Sequence, residues 1–257
     1  MAAVVAITKR EVHPTAVVAA SARLEDDVVV GPYAIVGDDV TIGKGSRLHA
    51  HAVVLGPTVL GAGNTVHSFA VIGGDAQHKA APSHALVTGD DCTFREHATV
   101  HRGTSGGTTR IGSGTLVMCG AHVGHDAAVG AQVVLANAVQ IAGHAVIGDY
   151  VVFGGLAGVA QFVRVGESAF VAAGAMVERD VPPFVVVQGD RAKVRGVNAV
   201  GLRRRGVSPS SIALLQKCCF KLFNKSTSTK QASLAELRAD STLATDEWVA
   251  RFLQEIS

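Results

Sequence analysis

The densest group of reactive side chains in the sequence is Cys119-Gly-Ala-His122-Val-Gly-His125-Asp126. Three readings fit those residue types. An imidazole takes a proton from an alcohol near neutral pH, and a carboxylate beside it fixes its tautomer and favours the imidazolium, so His125-Asp126 is a candidate general-base pair. Cys119, His122 and His125, three residues apart, also resemble a set of metal ligands. The plainest reading is surface decoration, since the chain holds 11 histidines. Choosing among these requires knowing what positions the side chains.

The positioning element is a repeat. Stepping by six from Val12 gives Val18, Leu24, Val30, Val36, Ile42, Leu48, Val54, Leu60, Val66 and Ile72, all aliphatic. The phase breaks over 73–87, resumes at Thr88, Phe94 and Val100, and breaks again over 102–110. It then runs from Ile111 through Val117, Val123, Val129, Leu135, Ile141, Ile147, Phe153, Val159, Val165 and Val171 to Val177. A helix would repeat at 3.6 and an ordinary strand at two. Period six predicts short strands on a three-sided prism, with about 18 residues per coil. This hexapeptide β-helix winds left-handed, an exception to the usual crossover rule. Four residues after each aliphatic the side chain is usually small or β-branched, as at Ala16, Ala22, Val28 and Ala34.

The repeat turns spacing into geometry. Residues 18 apart share a column, so Asp126, His144 and Phe162 align, as do His125, Gly143 and Gln161. His122 ends one face and His125 begins the next, so both can point into one groove. Cys119 and His125 occupy the same repeat position on faces a third of a revolution apart, which argues against a shared ion. The two interruptions are predicted to be loops leaving the prism, where sites are commonly built.

After Val177 the repeat stops at Asp180-Val-Pro-Pro. This predicts two domains, a β-helix over 1–190 and a helical domain over 191–257. A helix is expected from Ser208 as N-cap through Lys225, with others near Lys230–Asp240 and Asp246–Ile256. The 5% aromatic content suits a narrow repeated core. Residues 191–225 carry nine basic side chains and no acidic one, a surface suited to anionic partners. The four cysteines form no even framework, no uninterrupted spanning run occurs, and the N-terminus lacks the charge order of a secretory signal; a cytoplasmic protein is expected.

Further motifs sharpen the reading. His13-Pro-Thr-Ala, the break around Gln77, His101-Arg-Gly-Thr, Ala121-His-Val-Gly-His-Asp126, Ala142-Gly-His144, Gln161-Phe, Asp180-Val-Pro-Pro, Gln188-Gly, Asn198 and Gly201-Leu-Arg-Arg-Arg-Gly206 stand in the order seen in one family. Over essentially its whole length the chain resembles the acyl-[acyl-carrier-protein]–UDP-N-acetylglucosamine O-acyltransferases, which start lipid A biosynthesis. The resemblance implies His125 as general base on the sugar 3-hydroxyl, Asp126 as its orienting partner, and the Gly143 N–H as oxyanion donor. It implies substrate contacts from Gln77, His122, His144 and Gln161, with Asn198 and Arg204 holding the nucleotide. It further implies a homotrimer with sites between neighbouring prisms, an acyl carrier protein thioester as co-substrate, and no other cofactor, metal, nucleic acid or integral membrane segment.

The departures carry information too. Ala160 stands where family members usually have His, putting one substrate contact in doubt. His78 replaces an Asp expected to meet the acyl hydroxyl, which predicts an altered preference for 3-hydroxyacyl donors. Phe170 and Ala173 fall where family members set the floor of the acyl groove, so the resemblance implies a groove shortened by a ring and a methyl and a medium-length donor. Three alternatives stay open: N-acylation of an amino-sugar nucleotide, a zinc hydratase of carbonic-anhydrase type, and a β-helix scaffold without turnover.

Overall fold

A computed structural model describes residues 10–79, 82, 84–223 and 229–256. The six-residue phase becomes a left-handed parallel β-helix of three sheets. Face 1 starts with Glu11–Val12, face 2 with Val17–Val18 and face 3 with Arg23–Leu24, and each strand pairs with the one a coil later. Val12 aligns with Val30, Val18 with Val36 and Leu24 with Ile42, an 18-residue register.

Each hexapeptide turns two side chains inward. The aliphatic phase fills the centre, and the small residue four positions on fills the corner: Val30, Val36 and Ile42 are buried, as are Val28, Ala34 and Val40. A third residue per hexapeptide makes the corner itself. It takes a left-handed backbone even without glycine, as at Asp27, Tyr33, Asp39, His51 and Asp126. That conformation usually costs an L-residue energy, so here the stacked hydrogen bonds of the coils hold it in place. One consequence is that corner side chains point outward in columns.

Both interruptions leave the prism at the same corner. The first runs from Val71–Gly74 on face 2 to Ala85–Thr88 on face 3, and the second from Thr99–His101 on face 2 to Thr108–Ile111 on face 3. Beyond Val177, face 1 continues with Val185–Gln188, and Lys193–Val197 folds back on it as an antiparallel strand. The expected domain boundary at 190 therefore falls in the turn of this hairpin, which the sequence reading did not foresee.

Among the described residues five helices follow: α1 (Ala199–Arg204), α2 (Pro209–Phe223), α3 (Lys230–Ala239), α4 (Ser241–Ala244) and α5 (Glu247–Gln254). α1 was not expected. Ser208 Oγ accepts from Ser211 N–H at 3.0 Å, consistent with a helix start there; the expected end of that helix at Lys225 lies outside the described residues. Asp246 caps α5 by accepting from the Trp248 and Val249 N–H groups. Trp248 packs edge-on against Phe184, carrying the solenoid core into the helices. Among the described residues no helix is long and apolar enough to cross a membrane.

Candidate active site

A groove of about 440 Å³ runs along face 2 toward the corner with face 3. Its lining includes Gln77 from the first loop, His122, His125, Gly143, Ala160 and Gln161. The 18-residue columns place these together: His122 is level with Gln140, and Gln140 with Gly158.

At the corner, His125 Nδ1 lies 2.8 Å from Asp126 Oδ2. With Nδ1–H donating to the carboxylate, the lone pair of the neutral ring lies on Nε2. Burial alone would raise the Asp126 carboxyl, but hydrogen bonds from His125 and Thr104 overcome it and hold the acid below its ordinary value. His144, one coil on, lies edge-on to His125 at 5.1 Å and stacks flat on Phe162 at 4.7 Å. Its Nε2 is 3.7 Å from Asp126 Oδ2. The three side chains bring donor atoms within 4.8 Å of one another. The spacing is that of a hydrogen-bonded pair with a third ring beside it, the carboxylate being already engaged by Thr104 and His125.

Beneath the pair, a Cβ on Gly143 would meet His125 Nε2 at 2.9 Å, so only glycine lets the imidazole lie on that backbone. The Gly143 N–H donates to no backbone carbonyl among the described residues. It therefore remains available beside His125. His122 is pushed down to about 4 by burial, then by His101 and His125, and stays neutral at physiological pH; its Nδ1 is 2.9 Å from Thr99 Oγ1. His78, from the first loop, sits edge-on to His125 at 5.9 Å.

Several residues named from the sequence lie outside this groove. Cys119 is at the corner of faces 1 and 2, where its Sγ donates to Glu96 Oε2 at 3.1 Å, so the Cys119-His122-His125 ligand set is not assembled. Asn198 and Arg204 are not in the groove of their own chain. Asn198 caps α1, accepting from Gly201 N–H at 3.0 Å and donating to Ser168 O at 2.9 Å. Phe170 lies on face 1, half-buried, and Ala173 follows it at the next turn. Residues that the sequence reading missed are Thr104 and Thr109, which bind Asp126, and Arg205, which pairs with Glu167 and lies over Tyr150. Thr104 ends the His101-Arg-Gly-Thr motif already noted, but no periodicity says where a loop residue will reach.

A left-handed hexapeptide solenoid with a buried histidine–carboxylate pair in a groove at one corner defines a transferase of the hexapeptide-repeat class. Residues 21–56 match the repeat profile described as bacterial transferase hexapeptide, and residues 180–257 match the second domain of UDP-N-acetylglucosamine O-acyltransferase. The chain is 44% identical over 234 residues to the acyl-[acyl-carrier-protein]–UDP-N-acetylglucosamine O-acyltransferase of Anaeromyxobacter dehalogenans, covering 89% of this chain and 90% of that one. It is 36% identical over 226 residues, 86% of each chain, to the enzyme of the same name from Campylobacter concisus. The UDP-N-acetylglucosamine acyltransferase structure from Francisella novicida superposes with a TM-score of 0.89 at 32% identity, over 95% of this chain and 90% of that one. The chain belongs to the acyl-[acyl-carrier-protein]–UDP-N-acetylglucosamine O-acyltransferase family.

Proposed function

We propose that this enzyme transfers an acyl group from the thioester of an acyl carrier protein to the 3-hydroxyl of UDP-N-acetylglucosamine, the first step of lipid A biosynthesis. The observation that carries the mechanism is the 2.8 Å bond from His125 Nδ1 to Asp126 over the Gly143 backbone. His125 Nε2 takes the proton of the sugar hydroxyl as its oxygen attacks the thioester carbonyl carbon. The Gly143 N–H donates to the oxyanion of the tetrahedral intermediate, an effect worth roughly 3 kcal/mol in well-formed sites. The intermediate collapses with cleavage of the carbon–sulfur bond, and the thiolate takes the proton from Nε2. His125 is then neutral again.

Around this centre, Gln77, His122, His144 and Gln161 hold sugar and acyl groups; Phe170 and Ala173 lie outside the groove of their own chain and set the depth of a neighbour's groove for a medium-length chain. Asn198 and Arg204 stand apart from their own groove, which supports a homotrimer in which α1 closes a neighbour's site and Arg204 meets the diphosphate. The basic stretch 191–225 suits both that diphosphate and an acidic carrier protein in the cytoplasm. No metal or further cofactor enters the scheme. His78 beside His125 supports a weakened preference for hydroxylated donors.

The test is turnover with a panel of acyl-carrier-protein thioesters, plain and 3-hydroxylated, against UDP-N-acetylglucosamine and its 3-amino counterpart. The expected product is the O-acyl ester, formed fastest with a medium-length donor. Reaction with the amine alone would replace this reading by N-acylation, and no reaction with either would leave a scaffold. Strict dependence on the hydroxyacyl donor would remove the role given to His78.

A further inference from the structure

Asp126 is a costly place for a charge. Its side chain is 6% exposed, and its backbone is left-handed at φ 60°. A carboxylate so far from water persists as an anion only where protein donors replace the water. Those donors come from the second loop. The Thr104 backbone N–H reaches both carboxylate oxygens at 3.1 Å, and the Thr104 hydroxyl donates to Oδ2 at 2.8 Å. Thr109 Oγ1 accepts from the Asp126 N–H at 2.8 Å. Glycines make room for the charge: a Cβ on Gly107 would fall 1.7 Å from Oδ1, and one on Gly103 2.8 Å from it.

The same backbone also carries the end of the first loop. The His84 N–H donates to Gly103 O at 2.6 Å, and the His84 ring nitrogen Nδ1 is 2.9 Å from Gly107 O. The segment that presents Gln77 and His78 is thus anchored on the segment that encloses Asp126.

We propose that the second loop is a carboxylate cage and that Thr104 is a positioning residue, whose hydroxyl keeps Asp126 anionic and thereby keeps His125 in the tautomer with a free Nε2. This rests on the reading of His125 as the base. A proton on Asp126 would turn Oδ2 from acceptor into donor toward Nδ1. The imidazole proton would then sit on Nε2, where no substrate proton can be taken. The groups facing the pair are His144 beside Asp126, His78 and His122 beside His125, and His84 on the cage. None of them supplies a negative charge to replace that of Asp126.

Thr104→Val keeps the volume and the backbone N–H and replaces the hydroxyl with a methyl that cannot donate to Asp126. Weakening the anion raises the pH needed to keep the base ready, so the acid limb of kcat/KM should move to higher pH. Turnover is expected to fall about tenfold or more near pH 6 and to recover toward the wild type near pH 8, with KM for the sugar nucleotide within about twofold. Thr104→Ser should restore the profile. A loss equal at every pH, an unchanged profile, or no rescue by serine overturns the cage. If the valine variant does not fold, Thr104→Ala gives the same readouts.

A second measurement needs no turnover. Nitrogen-15 spectra of the His125 ring in the unliganded protein should show Nδ1 protonated in the wild type, and a shift toward Nε2–H in the valine variant. An unchanged ring overturns the cage. Failure of wild-type acyl transfer instead overturns the proposed reaction and leaves this readout standing.

Discussion

Two corners of the prism are rich in histidine, and their side chains are arranged differently. At the corner of faces 1 and 2, Tyr33, His51, Phe69 and His97 stack coil upon coil, with ring centroids 5.2–5.4 Å apart and planes within 10°. At the corner of faces 2 and 3, His78, His125 and His144 meet edge to face around one carboxylate. Backbone conformation does not separate the two, because His51, Phe69, Asp126 and His144 are all left-handed with φ near 60°. Loop insertion does. Unbroken coils produce a ladder of parallel rings, and two excursions beside Asp126 interrupt the ladder, bury the acid and tilt the rings.

Acid chemistry differs in the same way. Glu96, beside the ladder, is held down to about 2 chiefly by a hydrogen bond from Arg95, a permanent cation with no proton to give. Asp126 is matched to an imidazole, which can exchange its proton at neutral pH. The first pair is a fixed charge; the second is the pair proposed as the base.

The largest test of this contrast is paired substitution. His125→Ala should lower kcat by roughly 10²–10⁴-fold, and His51→Ala should leave it within about twofold. Steady-state rates on both variants check it, and comparable losses would erase the distinction between the corners.

A second test uses pH. The folded state holds His122 near 4, below its ordinary 6.5, so the unfolded chain binds more protons between those values. Stability from this group is present above 6.5 and is lost as pH falls toward 4. Thermal midpoints measured from about pH 7.5 down to about pH 4.5 should drop less in His122→Asn than in the wild type. The smallest effect belongs to the ladder. Phe69→Ala removes stacking on both His51 and His97 and should cost about 1–2 kcal/mol in denaturant unfolding, with kcat unchanged.

The parts legible in the sequence were the periodic ones. Phase six sets which residues face inward, and the 18-residue column brings Asp126, His144 and Phe162 into line. What stayed hidden has no period. Thr104 reaches Asp126 because a loop doubles back, and loop paths depend on contacts made only after folding. Lys193–Val197 could not be read as a returning strand because its partner is already the last parallel strand of face 1. Asn198 matched a family motif, yet its side chain spends two hydrogen bonds on its own chain, a competition that the motif does not display.

The left-handed corner has a consequence for variation. It demands a backbone shape and is nearly indifferent to the side chain, provided that the chain is not branched at Cβ. The non-glycine occupants include Asp, Tyr, His, Phe, Gln, Ala, Leu and Ser; among the described residues none is Val, Ile or Thr, although Val dominates the core. These positions therefore form a rack of interchangeable slots about 4.8 Å apart along each edge. Evolution or a designer can exchange rings, acids and amides there while the interior is left untouched.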